Sequence, residues 1–336
     1  MSMKQFDIIV IGGGPAGSTF AVSAIRLGHN VLILDKAKFP RNKLCAGWLN
    51  PAAFKILGIK KEDYPYKIDS WNKLLVWSRK KDKPRKFKLG LGHSIFRKEF
   101  DYFLLQRAIK AGAVLKQALV SDVEFKDDCV IVKTSKENFK SKVVVGAGGT
   151  FCPLYNKFNK GLKEKIVVCL EFQGKIKGTR NIGVNILPEK DLRGYSWCSS
   201  KADQINIGIG RTNEPDIVKY KDALIKRLER IGLIPKDLNL KFEGYVYRLN
   251  DNPKRKVAGN RFILLGDSAG LSDNFSGEGI SQAIVSGKVG ANYVARCLRA
   301  GKSDLSGFGR NKMFRIQKTS QFVRKVLKLL IKNFFG

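Results

Sequence analysis

FDIIVIGGGPAGS, residues 6–18, joins two kinds of pattern across a glycine turn. Phe6–Ile11 is a near-continuous apolar run, which predicts a strand buried on both faces, as in parallel sheets. Gly12, Gly14 and Gly17 then form the spacing GxGxxG, ahead of a helical pattern over Ala16–Leu27. The first glycine permits the turn, the second lets backbone approach a pyrophosphate, and the third lets helix and strand pack closely. Pro15 and Ala16 sit where the helix opens, and its N-terminal amides favour an anion. A second strand, Val31–Leu34, ends in Asp35, 18 residues beyond Gly17, with Lys36 next to it. A carboxylate there can accept hydrogen bonds from an adenosine ribose. Strand, turn, helix, strand and acid together predict a dinucleotide site.

Further along, KEFDYFLLQRAIKA (98–111) spaces Phe100, Phe103, Leu104 and Ala108 on one helical face. A strand pair is expected around 113–133, turning at Asp127–Asp128. An apolar strand, Val143–Val145, follows and runs into Gly146-Ala147-Gly148-Gly149. The middle of the chain changes character. Segments 72–90, 165–175, 181–187 and 204–210 alternate or run apolar between Gly and Asn, predicting an antiparallel sheet, and 217–231 reads as an amphipathic helix. The α/β pattern resumes with a strand at Arg261–Leu265 and a helix from about Gly279 to Arg299. The expected fold is α/β, a Rossmann-type nucleotide-binding domain interleaved with an antiparallel-sheet substrate domain. The first comprises 1–66, 91–160 and 251–304, the second 67–90 and 161–250, and 305–336 forms a basic amphipathic C-terminal helix.

A second glycine stretch, GDSAGLSDNFSGEGI (266–280), holds Asp267, Asp273 and Glu278 and no basic residue. Asp267 follows the end of a strand, where its carboxylate can bond a sugar-alcohol chain. Gly277 and Gly279 precede Ile280 at the opening of a helix, whose amides can face the electron-rich edge of a reduced flavin. Two glycine sites far apart in the chain suit a long ligand such as FAD better than NAD. Glu278 fits either the helix start or the substrate side, and Asp273 has no assigned role.

Four patches give the chain a specific resemblance: GGGPAGS near the start, FPRNKLCAGWL (39–49), GYSWCSS (194–200) and GDSAGLSDNFSGEGI. Arg97 before the helix EFDYFLL and VVVGAGG at 143–149 add to it. The chain resembles the geranylgeranyl reductase family, within the wider class of FAD proteins built like p-hydroxybenzoate hydroxylase. The resemblance implies saturation of isoprenoid double bonds, often on membrane lipids, with hydride from reduced FAD N5. It implies that Gly12, Gly14, Gly17 and Asp35 bind the ADP half, aided by Pro15, Ala16 and Lys36. Cys45, Ala46, Arg97 and Gly148 would lie by the flavin, and Asp267 with Gly277, Gly279 and Ile280 would hold the ribityl chain and ring. Tyr195 and Trp197 would line a prenyl tunnel, where flat aromatic surfaces suit an apolar chain. Cys45, Tyr195 and a bound water are the candidate proton donors.

The chain departs from the family's pattern at three places. Cys198, Ser199 and Ser200 replace the usual Phe-Pro or Gly-Pro after Tyr-x-Trp, Asn274 stands for a proline, and 146–149 lacks the acid of the wider class's GADG. An oxygen-using hydroxylase or halogenase is the alternative reading; no Trp-x-Trp-x-Ile-Pro segment supports the halogenase. A non-catalytic FAD protein recruited to membranes is the other.

The net charge is +34, with 63 Lys and Arg against 29 Asp and Glu. Such a surface favours anionic membranes, polyanions or an acidic electron donor such as ferredoxin or flavodoxin, with NAD(P)H the other candidate donor. Nucleic acid is disfavoured, because the bases are dispersed and no binding motif accompanies them. QFVRKVLKLLIKNFFG (321–336) reads as a basic amphipathic helix suited to a membrane surface. The six scattered cysteines form no CxxC or metal-like spacing, and no apolar stretch is long enough to span a bilayer, so a cytoplasmic, peripheral protein is expected.

Overall fold

A computed structural model describes residues 3–78, 82–179, 181–189, 193–274 and 276–314. Where the C-terminal helix was expected to begin, the described residues form two short 3-10 turns, Ser306–Arg310 and Lys312–Phe314, and the stretch 321–336 lies outside the described residues.

The first sheet runs in the order Ala258–Gly259, Phe262–Leu264, Asn138–Gly146, Lys4–Ile11, Val31–Asp35, Val114–Gln117. The last five strands are parallel, and Ala258–Gly259 adds an antiparallel edge. Both faces of this sheet are covered, which explains the unbroken apolar run of the first strand. Ile8 and Val10 pack beneath the helices Pro15–Arg26, Arg97–Lys110 and Ile280–Arg299. Phe6, Ile9 and Ile11 face Val123, Val130 and Val132 on the other side. Those residues belong to an antiparallel meander, Val120–Phe125 and Val130–Thr134 continuing into Asn138–Gly146. The strand pair expected around 113–133 is therefore three strands, of which Val114–Gln117 joins the parallel sheet instead.

The second sheet is ordered Glu243–Arg248, Ile166–Gly174, Gln204–Thr212, Gly194–Lys201, Val184–Pro188, Asp69–Trp77, Pro84–Ser94, Trp48–Leu49. It is antiparallel apart from the pair Val184–Pro188 and Asp69–Trp77. Its outer face buries Leu170, Leu187, Ile205, Ile207 and Ile209 against Leu224 and Leu228. The last two lie on the helix Lys221–Arg230, which follows a short 3-10 turn at Ile217–Tyr220. Among the described residues no helix is long and apolar enough to cross a membrane, and all six cysteines are free.

Candidate active site

Both sheets wall a cavity of about 1310 Å³. On one side are the carboxyl ends of Lys4–Ile11 and Val31–Asp35, where open α/β sheets commonly hold ligands. On the other is the inner face of the antiparallel sheet, with Cys169, Glu171, Tyr195 and Trp197. Every cofactor or substrate residue expected from the sequence lines this cavity except Gly17. Gly17 lies behind the wall: a Cβ there would stand 1.9 Å from the Gly12 carbonyl oxygen, so this position serves packing of helix against turn.

The glycine turn is built from backbone needs. Gly12 has φ +110°, and a Cβ would lie 2.4 Å from the Ala147 carbonyl oxygen, so only glycine fits between the first strand and the loop at 146–149. Asp35 fixes the turn from below: Oδ2 accepts from the Gly13 amide at 2.7 Å and Oδ1 from the Ala37 amide at 2.8 Å. The helix Pro15–Arg26 begins at Gly14 with no side-chain cap. Its first amides are thus left for an anion. Arg41 is beside them. Its Nη2 is 3.2 Å from Asp101 Oδ2, while Nη1 is buried with no partner among the described residues. An uncapped helix start and an orphaned buried guanidinium nitrogen fit a diphosphate.

Arg97 is clamped by Asp101, with Nε and Nη2 each 2.7 Å from a carboxylate oxygen. Burial alone would push its guanidinium down, but the Asp101 charge outweighs this and raises it, so Arg97 is a fixed cation.

The second glycine loop resolves the acids left open by the sequence. Asp267 accepts from Ser272 Oγ at 3.2 Å and faces the cavity. Asp273 closes a turn, accepting from the Ser276 amide and hydroxyl at 2.7 and 2.8 Å. Glu278 accepts from the Ser281 amide at 2.7 Å, so it serves the start of the helix Ile280–Arg299. Burial pushes its carboxyl up, and the Ser281 hydrogen bond offsets part of that. A Cβ on Gly277 would sit 2.2 Å from the Tyr247 hydroxyl, so this glycine answers to a protein side chain.

The inner face of the antiparallel sheet combines aromatic rings with a buried polar chain. Tyr195 and Trp197 have centroids 5.9 Å apart, and Trp48 meets Trp197 and Trp71 edge-on at 6.4 Å each. Tyr195 donates its hydroxyl to the Ser276 carbonyl at 2.6 Å, tying sheet to glycine loop. Trp197 Nε1 donates to Asn206 Oδ1 at 2.6 Å, and Asn206 Nδ2 donates to Glu171 Oε1 at 2.8 Å. The same Oε1 accepts from the Cys45 amide at 2.9 Å. Lys201 Nζ donates to the Cys45 carbonyl at 2.9 Å and to Gln173 Oε1 at 2.8 Å. The backbone of Cys45 is thus held at both its N–H and its carbonyl by buried ionisable residues. Burial pushes the Glu171 carboxyl up, against the pull of Lys201, and pushes the Lys201 amine down.

Arg41, Trp48, Glu171 and Lys201 are site residues that the sequence did not mark. Arg41 and Trp48 lie inside the FPRNKLCAGWL patch, which was the available signal. Glu171 and Lys201 carried none, since each sits in an ordinary strand pattern. Trp48 Nε1 and Asn274 Oδ1 are also buried without partners among the described residues and line the cavity.

No family model matches the chain. Among curated proteins, a geranylgeranyl diphosphate reductase of Rhodobacter capsulatus is 30% identical over 318 residues, covering 89% of this chain and 77% of its own. A digeranylgeranylglycerophospholipid reductase of Methanopyrus kandleri is 24% identical over 316 residues, covering 88% and 81%. A solved structure of a geranylgeranyl bacteriochlorophyll reductase-like protein from Thermoplasma acidophilum superposes with a TM-score of 0.79 at 21% identity, covering 99% of this chain and 87% of that one. Identity at this level over most of both chains, on a fold with the same course from end to end, makes the chain a member of the geranylgeranyl reductase family of FAD-dependent oxidoreductases.

Proposed function

We propose that this protein uses FAD to saturate double bonds of an isoprenoid chain carried on a lipid or diphosphate. The observation that carries the reading is the continuity of one cavity between the glycine turn and the aromatic inner face of the antiparallel sheet. Its volume exceeds the ~300–1,000 Å³ common for one small ligand, leaving room for a dinucleotide and an apolar chain together.

Each end of the site has a task. The uncapped start of Pro15–Arg26 and Arg41 would hold the diphosphate, and Asp35 the adenosine ribose. Asp267 would hold the ribityl hydroxyls, and Arg97, fixed by Asp101, would supply a permanent positive charge near the flavin. When bound and reduced, FAD supplies a hydride. Trp48, Trp71, Tyr195 and Trp197 would seat the alkene-bearing chain and exclude water from it. The family's relatives named for prenyl substrates support the same class of substrate here.

The test is anaerobic. Protein loaded with FAD and reduced by dithionite is mixed with geranylgeranyl diphosphate or a prenylated glycerophospholipid, and products are weighed by mass spectrometry. The expected result is flavin reoxidation with a gain of two hydrogens per double bond reduced. Reoxidation by oxygen alone, with prenyl substrates left unchanged, would transfer the protein to the oxygen-using reading. Asp267→Ala is expected to lose FAD while remaining folded; full retention of FAD would remove Asp267 from the site.

A further inference from the structure

Saturating an alkene by hydride leaves a second carbon that must gain a proton, and the pocket wall carries several groups able to give one, among them Cys45, Glu171, Tyr195, Tyr245, Tyr247 and Glu278. Tyr195 is committed, because its hydroxyl proton points to the Ser276 carbonyl at 2.6 Å. Cys45 Sγ lies 3.3 Å from the Gly47 amide, as an acceptor. Lys201 directs its amine to the Cys45 carbonyl and Gln173. Glu171 is arranged differently. It is 4% exposed and lines the cavity. Both of its hydrogen bonds, from the Cys45 amide and from Asn206 Nδ2, converge on Oε1. Oε2 takes no bond from the described residues. Two donors on one oxygen and none on the other match a neutral carboxyl, whose carbonyl oxygen accepts while its O–H stays free to donate.

We propose that Glu171 is the proton donor of the reductive reaction, presenting a neutral carboxyl O–H to the substrate beside Cys45. The proposal rests on the reductase reading above. In the step, one alkene carbon would receive a hydride, which bound and reduced FAD would supply. The Glu171 O–H bond breaks as a C–H bond forms at the neighbouring carbon, leaving a carboxylate. A proton from water then restores the acid, and two electrons from an external donor, a reduced ferredoxin, flavodoxin or NAD(P)H, would restore the reduced cofactor. Lys201, two strands away in the same sheet, stabilises that carboxylate while it lasts, as does Lys43 on the Cys45 loop. Both act on Glu171 electrostatically, Cys45 and Cys169 are further ionisable groups near it, and Arg97, Tyr195 and Tyr247 line the same cavity. Burial of the acid raises it toward the neutral form, and Lys201, Lys43 and the two hydrogen bonds at Oε1 oppose that only in part. Asn206 and the Cys45 amide are positioning groups, since they touch Oε1 and leave Oε2 free.

Two readouts test this, and one needs neither flavin nor substrate. Infrared spectra of flavin-free protein, taken from mildly acidic to alkaline pH, should contain a protonated-carboxyl band at neutral pH that is missing in Glu171→Gln. Absence of that difference at neutral pH would overturn the proposal. In single turnovers of reduced holoenzyme with geranylgeranyl diphosphate, Glu171→Gln should slow product formation at least ~100-fold. Its FAD content and its reduction by dithionite should stay at wild-type levels. Glu171→Asp, which keeps a carboxyl, should recover part of the rate. A Glu171→Gln rate within about threefold of wild type would also overturn the proposal, since a donor in this role is worth far more. Should wild type itself fail to reduce any prenyl substrate, the reductase reading falls and Glu171 loses its reaction. The infrared band then reports only whether the pocket holds a neutral acid.

Discussion

The two faces of the strand Gln204–Thr212 belong to different worlds. Ile205, Ile207 and Ile209 point outward into an apolar core shared with Leu224 and Leu228. Asn206, Gly208 and Gly210 point inward, and the inner face carries Trp197, Glu171 and the cavity. Gly208 shows the contrast at one position: a Cβ there would lie 2.1 Å from Trp197 Cζ2, so the missing side chain is the bed on which the indole lies. The outer face is held by area removed from water and is indifferent to detail. The inner face is held by a chain of specific hydrogen bonds, each of which fails if one partner is lost. Stability and chemistry are thus separated by one residue of register.

The sharpest test of that separation is on the outer side. Ile207 is fully buried, and Ile207→Ala should lower unfolding stability by ~3 kcal/mol through lost burial and a residual cavity. Denaturant titration measures the loss. FAD content per folded molecule should not change, and a matching loss of FAD would break the comparison. On the inner side, Asn206→Ala removes the acceptor of a buried indole N–H and one donor to Glu171. A cost of ~2 kcal/mol is expected, set by the orphaned groups more than by lost area. In the double variant with Trp197→Phe no indole N–H remains to be orphaned. A coupling of ~1 kcal/mol between the two positions should then appear in a double-mutant cycle. Strict additivity would mean that the hydrogen bond contributes nothing.

Much of the outer side was readable from the chain. The alternation in QINIGIG assigns Ile205, Ile207 and Ile209 to one face without any knowledge of what covers them. The first glycine turn was readable for the same reason, since strand, turn, helix and Asp35 are local and interlock within 30 residues of sequence. The second loop was half readable. Asp267 faces the cavity as its place after a strand suggests, but Gly277 answers to Tyr247, and nothing in the local sequence predicts which side chain comes to rest against it. Of the polar chain only Cys45 was readable, through the FPRNKLCAGWL patch. Cys45, Glu171, Lys201 and Asn206 come from separate segments, and a Glu or Lys in a strand normally means a solvated edge. Only the fold brings them together, and only their mutual hydrogen bonds make burial tolerable.

The smallest expected effect is the one most particular to the inner face. Burial raises the Glu171 carboxyl above its ordinary range in the folded protein, whereas in the unfolded chain it titrates as an ordinary glutamate. The folded state therefore holds this proton more tightly than the unfolded state does. Its contribution to stability is complete below the unfolded value and is lost as pH rises through the folded one. The amide introduced by Glu171→Gln keeps an oxygen to accept from Cys45 and Asn206 but does not titrate. The stability of wild type relative to Glu171→Gln should then be greatest at mildly acidic pH and decline steadily toward alkaline pH. Melting temperatures of both proteins across that range, measured without flavin, give the difference directly. An outer-face variant such as Ile207→Ala lacks any such group and should differ from wild type by the same amount at every pH. If the Glu171→Gln difference is equally flat, the buried acid is not held neutral by the fold, and the two faces differ in packing alone.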